Sequence, residues 1–284
     1  MPTFFNQATL SYNGNTVNSN IVQGEIIQVL SAAKTSTAES YETGDTVTYI
    51  ISIVNTGTAP FANLTVADDL GGTEFNGNTV YPLNYVQDSV RYYVNGVLQA
   101  TPTVAEGPPL SFTGINVPAG GDAVIVYNAT VNQFAPLGAD EQIINSVSIT
   151  GDGIITPITA EETITASIEP DLTITKTLSP TSVPENGQLT YTFVISNFGG
   201  TDATATDNLI VTDSFNPILN PITVTYNGTA WEEGVNYTYD ETTGLFRTVE
   251  GQITVPAATF EQDPETGEWI TIPGTSTLIV TGTV

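Results

Sequence analysis

Ile143-Ile144-Asn145-Ser146-Val147-Ser148-Ile149-Thr150-Gly151 alternates apolar and polar residues, which is typical of a half-buried β-strand. The N-terminus repeats the pattern almost letter for letter as Phe4-Phe5-Asn6-Gln7-Ala8-Thr9-Leu10-Ser11-Tyr12. Because side chains alternate between the two faces of a strand, the apolar residues share one face, together with Asn6 in one copy and Asn145 in the other. A strand suited to closing a domain therefore occurs twice, once in mid-chain and once ahead of any domain.

The remainder of the sequence is typical of an all-β sandwich. Short alternating runs, such as Thr46-Val47-Thr48-Tyr49-Ile50-Ile51-Ser52-Ile53, are separated by Gly, Pro and Asn-Gly pairs. The pairs Asn95-Gly96 and Asn227-Gly228 predict hairpin turns, because Asn and Gly tolerate positive φ. We predict no helix.

An internal repeat divides the chain. Lys34 matches Lys176 and Asn55-Thr56-Gly57 matches Asn197-Phe198-Gly199 at one constant offset. We therefore predict two tandem sandwich domains at 24–168 and 169–284, preceded by an extended N-terminal donor strand at 1–23. The second repeat stops at Val284 with no counterpart of residues 143–151. We expect the second domain to lack its closing strand.

A sandwich without a strand exposes a backbone edge and an apolar groove, and a segment from a neighbouring molecule can fill that groove. We expect the N-terminal strand of one copy to enter the second domain of the next copy, which would propagate as a filament. The donor residues are Phe4, Phe5, Asn6, Ala8, Leu10 and Tyr12. Alternatively, the strand folds back onto its own second domain or extends the first.

Composition excludes several classes of function. Lys and Arg number 4 against 30 Asp and Glu, a formal charge of -26, which argues against binding nucleic acid or anionic membranes. The absence of Cys and His removes disulfides, thiolate metal sites and the usual general base, so we expect no cofactor and no enzyme acting on an external substrate. No apolar run is long enough for membrane insertion. Met1-Pro2-Thr3 starts no classical signal peptide, so we expect a processed chain or another export route.

Each repeat directs a Lys, an Asp and an Asn toward its own core. The first set is Lys34, Asp68 and Asn145, and the second is Lys176 and Asp213, with Asn6 arriving from a neighbouring copy. One interpretation is a buried ion pair whose remaining hydrogen bonds the Asn satisfies. The other is a Lys–Asn isopeptide crosslink, in which burial lowers the pKa of the lysine and the Asp assists proton transfer. Acidic loops at 261–265 and at Asp68-Asp69 are weaker candidates for Ca²⁺ binding, and neither has EF-hand spacing.

Several motifs resemble those of a bacterial surface repeat known as domain of unknown function eleven. They are Asp171-Leu172-Thr173-Ile174-Thr175-Lys176-Thr177, Val194-Ile195-Ser196-Asn197-Phe198-Gly199, Val211-Thr212-Asp213 and the stretch from Asn145 to Gly151. The resemblance covers nearly the whole chain in two copies. It implies an Ig-like sandwich used as a stalk or fibre module on an envelope or spore surface.

Together these observations favour a structural subunit of a head-to-tail homopolymer at a cell or spore surface. The alternative is an envelope adhesin or spacer whose loops bind a glycan or a host protein. Fibres that form without added ligand would distinguish the first function from the second.

Overall fold

The computed structural model describes residues 3–25 and 29–284, and this part of the chain is built almost entirely of β-strands. Its β-branched and aromatic residues alternate with polar ones, which suits a pleated surface with one buried face. The one helical element in these ranges is a 3₁₀ turn at Ala205–Asp207. The all-β fold class is confirmed. No helix formed by the described residues is long and apolar enough to cross a membrane.

The N-terminal segment is a two-stranded hairpin, whereas the sequence analysis predicted a single extended strand. Its strands are β1 (Thr3–Asn6), β2 (Thr9–Tyr12), β3 (Asn15–Asn18) and β4 (Val22–Glu25). β1 pairs with β4 and β2 with β3, so β1 and β2 form a first arm and β3 and β4 a second arm. Asn13 and Gly14 turn the chain with φ of 44° and 79°, which matches the hairpin signal of an Asn-Gly pair.

An N-terminal sandwich follows, formed by fourteen strands. They are β5 (Leu30–Ser36), β6 (Ser40–Tyr41), β7 (Thr46–Asn55), β8 (Phe61–Asp68), β9 (Thr73–Phe75), β10 (Asn78–Val80), β11 (Leu83–Tyr85), β12 (Arg91–Val94), β13 (Val97–Leu98), β14 (Thr103–Ala105), β15 (Leu110–Val117), β16 (Asp122–Val131), β17 (Gln142–Thr150) and β18 (Ile158–Ala166). One sheet has the order β13-β12-β16-β7-β5, and the other has the order β14-β15-β8-β17-β18-β6. Their facing side chains form one hydrophobic core.

A C-terminal sandwich contains the remaining strands. They are β19 (Leu172–Ser179), β20 (Gln188–Asn197), β21 (Thr212–Ser214), β22 (Ile222–Tyr226), β23 (Thr229–Trp231), β24 (Tyr237–Asp240), β25 (Leu245–Thr248), β26 (Thr259–Gln262), β27 (Trp269–Ile272) and β28 (Gly274–Thr283). One sheet has the order β19-β20-β28-β22-β23 and the second the order β21-β25-β24. They enclose a separate core. The predicted boundary at 168/169 falls between β18 and β19.

The two sandwiches repeat one strand order, with one difference. The sheet β19-β20-β28-β22-β23 repeats β5-β7-β16-β12-β13, and β21-β25-β24 repeats β8-β15-β14. Among residues 172–284 no strand takes the place of β17 or β18. The gap is therefore two strands wide, where the sequence analysis considered one closing strand.

The hairpin formed by β26 and β27 joins the two sandwiches. The backbone N–H of Trp269 donates to the backbone carbonyl of Gln133 at 2.8 Å, and the side-chain amide of Asn76 donates to the Pro264 carbonyl at 2.8 Å. These bonds run from the C-terminal sandwich to the N-terminal one.

Candidate functional site

Lys34 is fully buried in the N-terminal sandwich. It lies on β5 opposite Ile51, on the face that also carries the buried Leu30. Its Nζ is 2.7 Å from Oδ2 of Asp68, and neither side chain is exposed to solvent. A buried cation requires such a partner, because the cost of removing it from water is otherwise uncompensated.

A chain of hydrogen bonds extends from this ion pair to Asn145. The Tyr127 hydroxyl donates to the same Oδ2 of Asp68 at 2.6 Å, and Nδ2 of Asn145 donates to that hydroxyl at 3.1 Å. The structure thus brings Lys34, Asp68 and Asn145 into one buried network, with Tyr127 between the carboxylate and the amide.

Two polar atoms near this network have no hydrogen-bond partner among the described residues. They are Oδ1 of Asn145 and the hydroxyl of Tyr49, both buried. An unpaired buried polar group costs about 1–3 kcal/mol. Unpaired buried polar groups are rare in native proteins, so these two atoms mark the network as a candidate site for chemistry.

Burial shifts the pKa values of the site in consistent directions. Burial lowers the pKa of Lys34, which Asp68 opposes by favouring the charged amine. Burial also raises the pKa of the Tyr49 and Tyr127 hydroxyls. Burial therefore shifts Lys34 toward its neutral form and keeps the phenols neutral, and the neutral amine is the form in which a lysine can act as a nucleophile.

Tyr127 is a residue that the sequence analysis missed. It has no equivalent in the second repeat, because Tyr127 pairs with Tyr49 while Val280 occupies the matching position opposite Tyr191. The alternation of β16 places Tyr127 on the buried face, and this signal was present in the sequence. Because Tyr127 is absent from the second repeat, the internal repeat gives no signal for it.

The corresponding lysine of the C-terminal sandwich is exposed. Lys176 forms an ion pair with Asp213, and its Nζ lies 4.5 Å from the centre of the Tyr191 ring. Its side chain is 40% exposed, against 0% for Lys34. Lys176 is therefore not enclosed within a single copy, because none of the described strands of the C-terminal sandwich occupies the places of β17 and β18 beside it.

Asn6 is not brought to Lys176 within one chain. It lies in the N-terminal hairpin, is exposed and pairs with Val22. The described partners of Lys176 are Asp213 and aromatic rings. Any contact between Asn6 and Lys176 must come from a second copy or from movement of the hairpin.

The C-terminal sandwich has an open edge and an uncovered face beside Lys176. In the N-terminal sandwich, β8 pairs with β15 on one side and with β17 on the other, whereas β21 pairs with β25 alone among the described strands. On β19, Ile174 is 52% exposed and Leu178 is 36% exposed. An open edge with an apolar face favours the addition of a strand.

The N-terminal hairpin carries a set of exposed apolar side chains. They are Phe4, Phe5, Leu10, Tyr12, Val17, Ile21 and Val22. The described hydrogen bonds and strand pairs of residues 3–25 all lie within the hairpin. An exposed apolar set of this kind is typical of an interaction surface.

The acidic loops show no arrangement for a metal. In the ranges 3–25 and 29–284 no group of three or more acidic side chains could hold an ion. Oδ1 of Asp263 accepts the backbone N–H groups of Glu265 and Thr266, which lowers the pKa of Asp263 and stabilises the turn. Asp68 is already paired with Lys34. Calcium binding remains a prediction without a site.

Comparisons with known proteins found no matching family model and no matching curated protein. Among solved structures, the pilus backbone RrgB of Streptococcus pneumoniae is similar with a TM-score of 0.36 and 16% identity, over 86% of this chain and 55% of that one. The major pilin subunit BcpA of Bacillus cereus has a TM-score of 0.36 and 11% identity, over 96% of this chain and 73% of that one. A collagen-binding domain of a Staphylococcus aureus adhesin has a TM-score of 0.31 and 11% identity, over 49% and 99%. Since these TM-scores are below 0.5, the function of this chain does not follow from them.

Proposed function

We propose that this chain is a structural subunit of a surface filament, in which the N-terminal segment of one copy completes the C-terminal sandwich of the next. The observation that carries the proposal is the near identity of pattern between residues 4–12 and residues 143–151. The second of these stretches forms β17 beside β8, and the matching edge of β21 is free of any described strand.

Register follows from the N-terminal sandwich. There Val147 lies opposite Asp68 and Ile149 opposite Val66. We transfer this register through the internal repeat to the proposed joint, where the first arm of one copy meets β21 of the next. Ala8 would then lie opposite Asp213, and Leu10 opposite Val211. Phe4 and Leu10 would then enter the groove, and full burial of each such side chain contributes about 1.5–3 kcal/mol.

The proposed contact joins the beginning of one subunit to the end of the next. Such a heterologous contact propagates into an open filament unless the rotation between subunits closes a ring. Each subunit carries a formal charge of -26, so these joints must overcome repulsion between like-charged copies. An apolar strand inserted into a core supplies a strong, specific contact of the kind needed.

In the N-terminal sandwich, we propose an amide bond between Nζ of Lys34 and Cγ of Asn145. Asp68 takes a proton from the Lys34 ammonium across their 2.7 Å contact, which leaves a neutral amine. The amine forms the Nζ–Cγ bond, and the Cγ–Nδ2 bond breaks. Tyr127 passes a proton from Asp68 to the departing nitrogen through the 2.6 Å and 3.1 Å bonds that the structure contains. Asp68, ionised again by that transfer, accepts the second proton of Nζ, so the amine and the Asn carboxamide become a secondary amide, one ammonia leaves and Asp68 ends protonated.

The same chemistry is proposed across the joint between two copies. Lys176 and Asp213 are already paired in the C-terminal sandwich. The incoming strand delivers Asn6 at the position that Asn145 occupies in β17, and it covers Lys176 at the same time. Burial would then lower the pKa of Lys176, as it does for Lys34. The bond between copies would therefore form only on assembly.

We place the filament on a cell or spore surface, following the resemblance to bacterial surface repeats. Electron microscopy of the purified chain, with no ligand added, would show fibres if the proposal is right.

The test of assembly uses the full chain and a variant that lacks the residues before Gly24. The full chain should form fibres, whereas the shortened one should stay monomeric with both sandwiches folded, because its grooves receive no strand. A peptide of residues 4–12 should slow assembly of the full chain. Native-looking fibres from the shortened variant would refute the proposal.

The test of the crosslink uses boiled fibres on a denaturing gel. Wild-type fibres should give a ladder, and Asn6→Ala or Lys176→Ala should reduce it to monomer. Gln7→Ala is the matched control, because Gln7 neighbours Asn6 on the opposite face and should keep the ladder. The wild-type monomer should be lighter than its sequence mass by one ammonia, and Asn145→Ala should remove that difference. A full mass together with one monomer band would leave only the ion pairs.

A further inference from the structure

The second arm of the N-terminal hairpin matches β18 in the way that the first arm matches β17. In the N-terminal sandwich β17 and β18 pair with each other, with Ile149 opposite Ile158 and Asn145 opposite Glu162. In the hairpin, Leu10 lies opposite Val17, and Asn6 lies opposite Val22. The β17–β18 pair and the N-terminal hairpin therefore share one arrangement. In each, the first strand carries an Asn and, four positions later, an aliphatic residue, and both face a residue of the second strand.

A bulge in the second arm keeps its two valines on one face. The pairing changes by one residue between Asn6–Val22 and Thr9–Asn18, so residues 19–21 oppose only residues 7 and 8. Val17 and Val22 are five positions apart, and without the bulge they would point to opposite faces. The extra residue therefore aligns both valines with Asn6 and Leu10.

The outer end of the hairpin conserves volume between the two arms. Ile143 and Ile164 are opposite each other in β17 and β18, and both are buried. The hairpin has Phe4 opposite Gly24, and a Cβ at Gly24 would lie 2.3 Å from Cζ of Phe4. One larger and one smaller residue thus replace two of middle size, which suits a core that must be filled to constant volume.

The strongest correspondence concerns the strand that β18 contacts. In the N-terminal sandwich, Glu162 of β18 accepts hydrogen bonds from the backbone N–H and the hydroxyl of Ser36 on β5, at 3.1 Å and 2.8 Å. The repeat places Leu178 at the position of Ser36, and the hairpin has Val22 at the position of Glu162. A polar pair in one sandwich is replaced on both sides by an apolar pair. Leu178 and Val22 are both exposed in the single copy.

We propose that the whole hairpin, and not the first arm alone, enters the C-terminal sandwich of a second copy, with the second arm in the place of β18 and Val22 against Leu178. This inference rests on the proposed function, because it specifies what the donor is. It explains why two strands are missing from the acceptor and why the N-terminal segment is folded as a hairpin before assembly. Pre-folding also reduces the conformational entropy that the segment loses on insertion.

The first test places cysteines in this cysteine-free chain. Copies with Val22→Cys are mixed with copies with Leu178→Cys, assembled and treated with a short bis-methanethiosulfonate, and linked peptides are identified by mass spectrometry. A Val22–Leu178 link is expected. Thr177→Cys in place of Leu178→Cys is the control, because Thr177 faces away from the groove and should give no link.

The second test compares two neighbouring charges on the second arm. Val22→Asp should weaken assembly by about tenfold or more, because it places a carboxylate against Leu178, whereas Gln23→Asp on the opposite face should change it by less than about twofold. If Val22→Asp gave fibres of normal yield and the cysteine experiment gave no Val22–Leu178 link, the hairpin inference would be overturned and a donor of one strand would remain. Absence of fibres from the unmodified chain would instead overturn the proposed function, and the hairpin inference with it.

Discussion

At the scale of the residue, the hydroxyl of Tyr127 lies between Asp68 and Asn145, where in the proposed reaction it would pass the proton to the leaving nitrogen. We expect Tyr127→Phe to keep the buried Lys34–Asp68 pair but to slow the loss of ammonia by about tenfold or more, since a positioned proton donor typically contributes at least that much. Asp68→Ala should abolish the reaction. Intact mass at successive times after a pulse of cell-free synthesis gives the rate.

Tyr93→Phe is the control for this prediction, because Tyr93 lies on β12, is only partly buried and is not part of the network. It should react at the wild-type rate. If Tyr127→Phe also reacted at that rate, the proton would follow a path other than the two hydrogen bonds of the Tyr127 hydroxyl.

Tyr49 provides a prediction about pH. Its pKa is raised by burial above its ordinary value of 10.0, so it stays neutral in the folded protein where the unfolded chain already ionises. Its contribution to stability is therefore fully present below pH 10 and is lost as the pH rises through the raised value. Tyr49→Phe should reduce this loss, by up to about 1.4 kcal/mol per pH unit.

Urea unfolding of the wild type and of Tyr49→Phe between pH 8 and pH 11 would measure the difference (roughly the range in which a free phenol titrates). The other buried phenols, Tyr41 and Tyr127, also have raised pKa values, but they are present in both proteins and their contributions cancel in the comparison. At neutral pH Tyr49→Phe should not destabilise the protein, since the hydroxyl accepts and donates no hydrogen bond among the described residues. Equal slopes in the two proteins would show that Tyr49 ionises without unfolding.

At the scale of the element, the first arm of the hairpin should have one buried and one exposed face after assembly. Leu10→Asp removes an apolar side chain from the groove and buries an unpaired charge, so we expect assembly to weaken by more than about a hundredfold, or about 2.7 kcal/mol. Thr9→Asp carries the same charge on the opposite face and should be far milder. Light scattering during assembly would measure both, and equal effects would reverse the assignment of faces.

The elements themselves were largely predictable from the sequence. Period-two alternation and the Asn-Gly turns identified the strands and hairpins, and both Asn95-Gly96 and Asn227-Gly228 turn with positive φ as expected. The N-terminal hairpin was missed although Asn13-Gly14 carries the same signal. The reason is that its second arm has a bulge and an irregular sequence, so the repeat was visible only in the first arm.

The environment of the two lysines was only half predictable. Alternation correctly places Lys34 and Lys176 on inward faces, but burial depends on what covers that face. β18 contributes Glu162 and Ile164 beside β5, whereas β19 has no such neighbour among the described strands. Alternation along one strand contains no information about a strand that a different part of the chain, or a second copy, supplies.

At the scale of the whole molecule, assembly and charge act against each other. Four cations and 30 acidic residues give each subunit its charge of -26, so neighbouring subunits in a filament repel. Within one subunit, the β26–β27 hairpin hydrogen-bonds the C-terminal sandwich to the N-terminal one. The proposed amide between copies would make the joint independent of this repulsion.

The contrast between a joint weakened by charge repulsion and a joint held by an amide gives a prediction about salt. Repulsion between exposed charges reaches over a Debye length, which is about 8 Å at physiological ionic strength and about 30 Å at 0.01 M. Lowering the salt therefore strengthens repulsion along the filament. Fibres of Lys176→Ala have joints without the amide and should dissociate as salt falls, with the concentration needed for assembly rising by about tenfold or more (about 1.4 kcal/mol per joint). Wild-type fibres should persist.

Arg91→Ala is the charge-matched control, because it also removes one cation but lies on β12 of the N-terminal sandwich, exposed and away from the joint. Sedimentation of preformed fibres after dilution into low and high salt gives the soluble fraction. If Arg91→Ala fibres dissociated as readily as those of Lys176→Ala, the loss of charge and not the loss of a covalent joint would account for the effect.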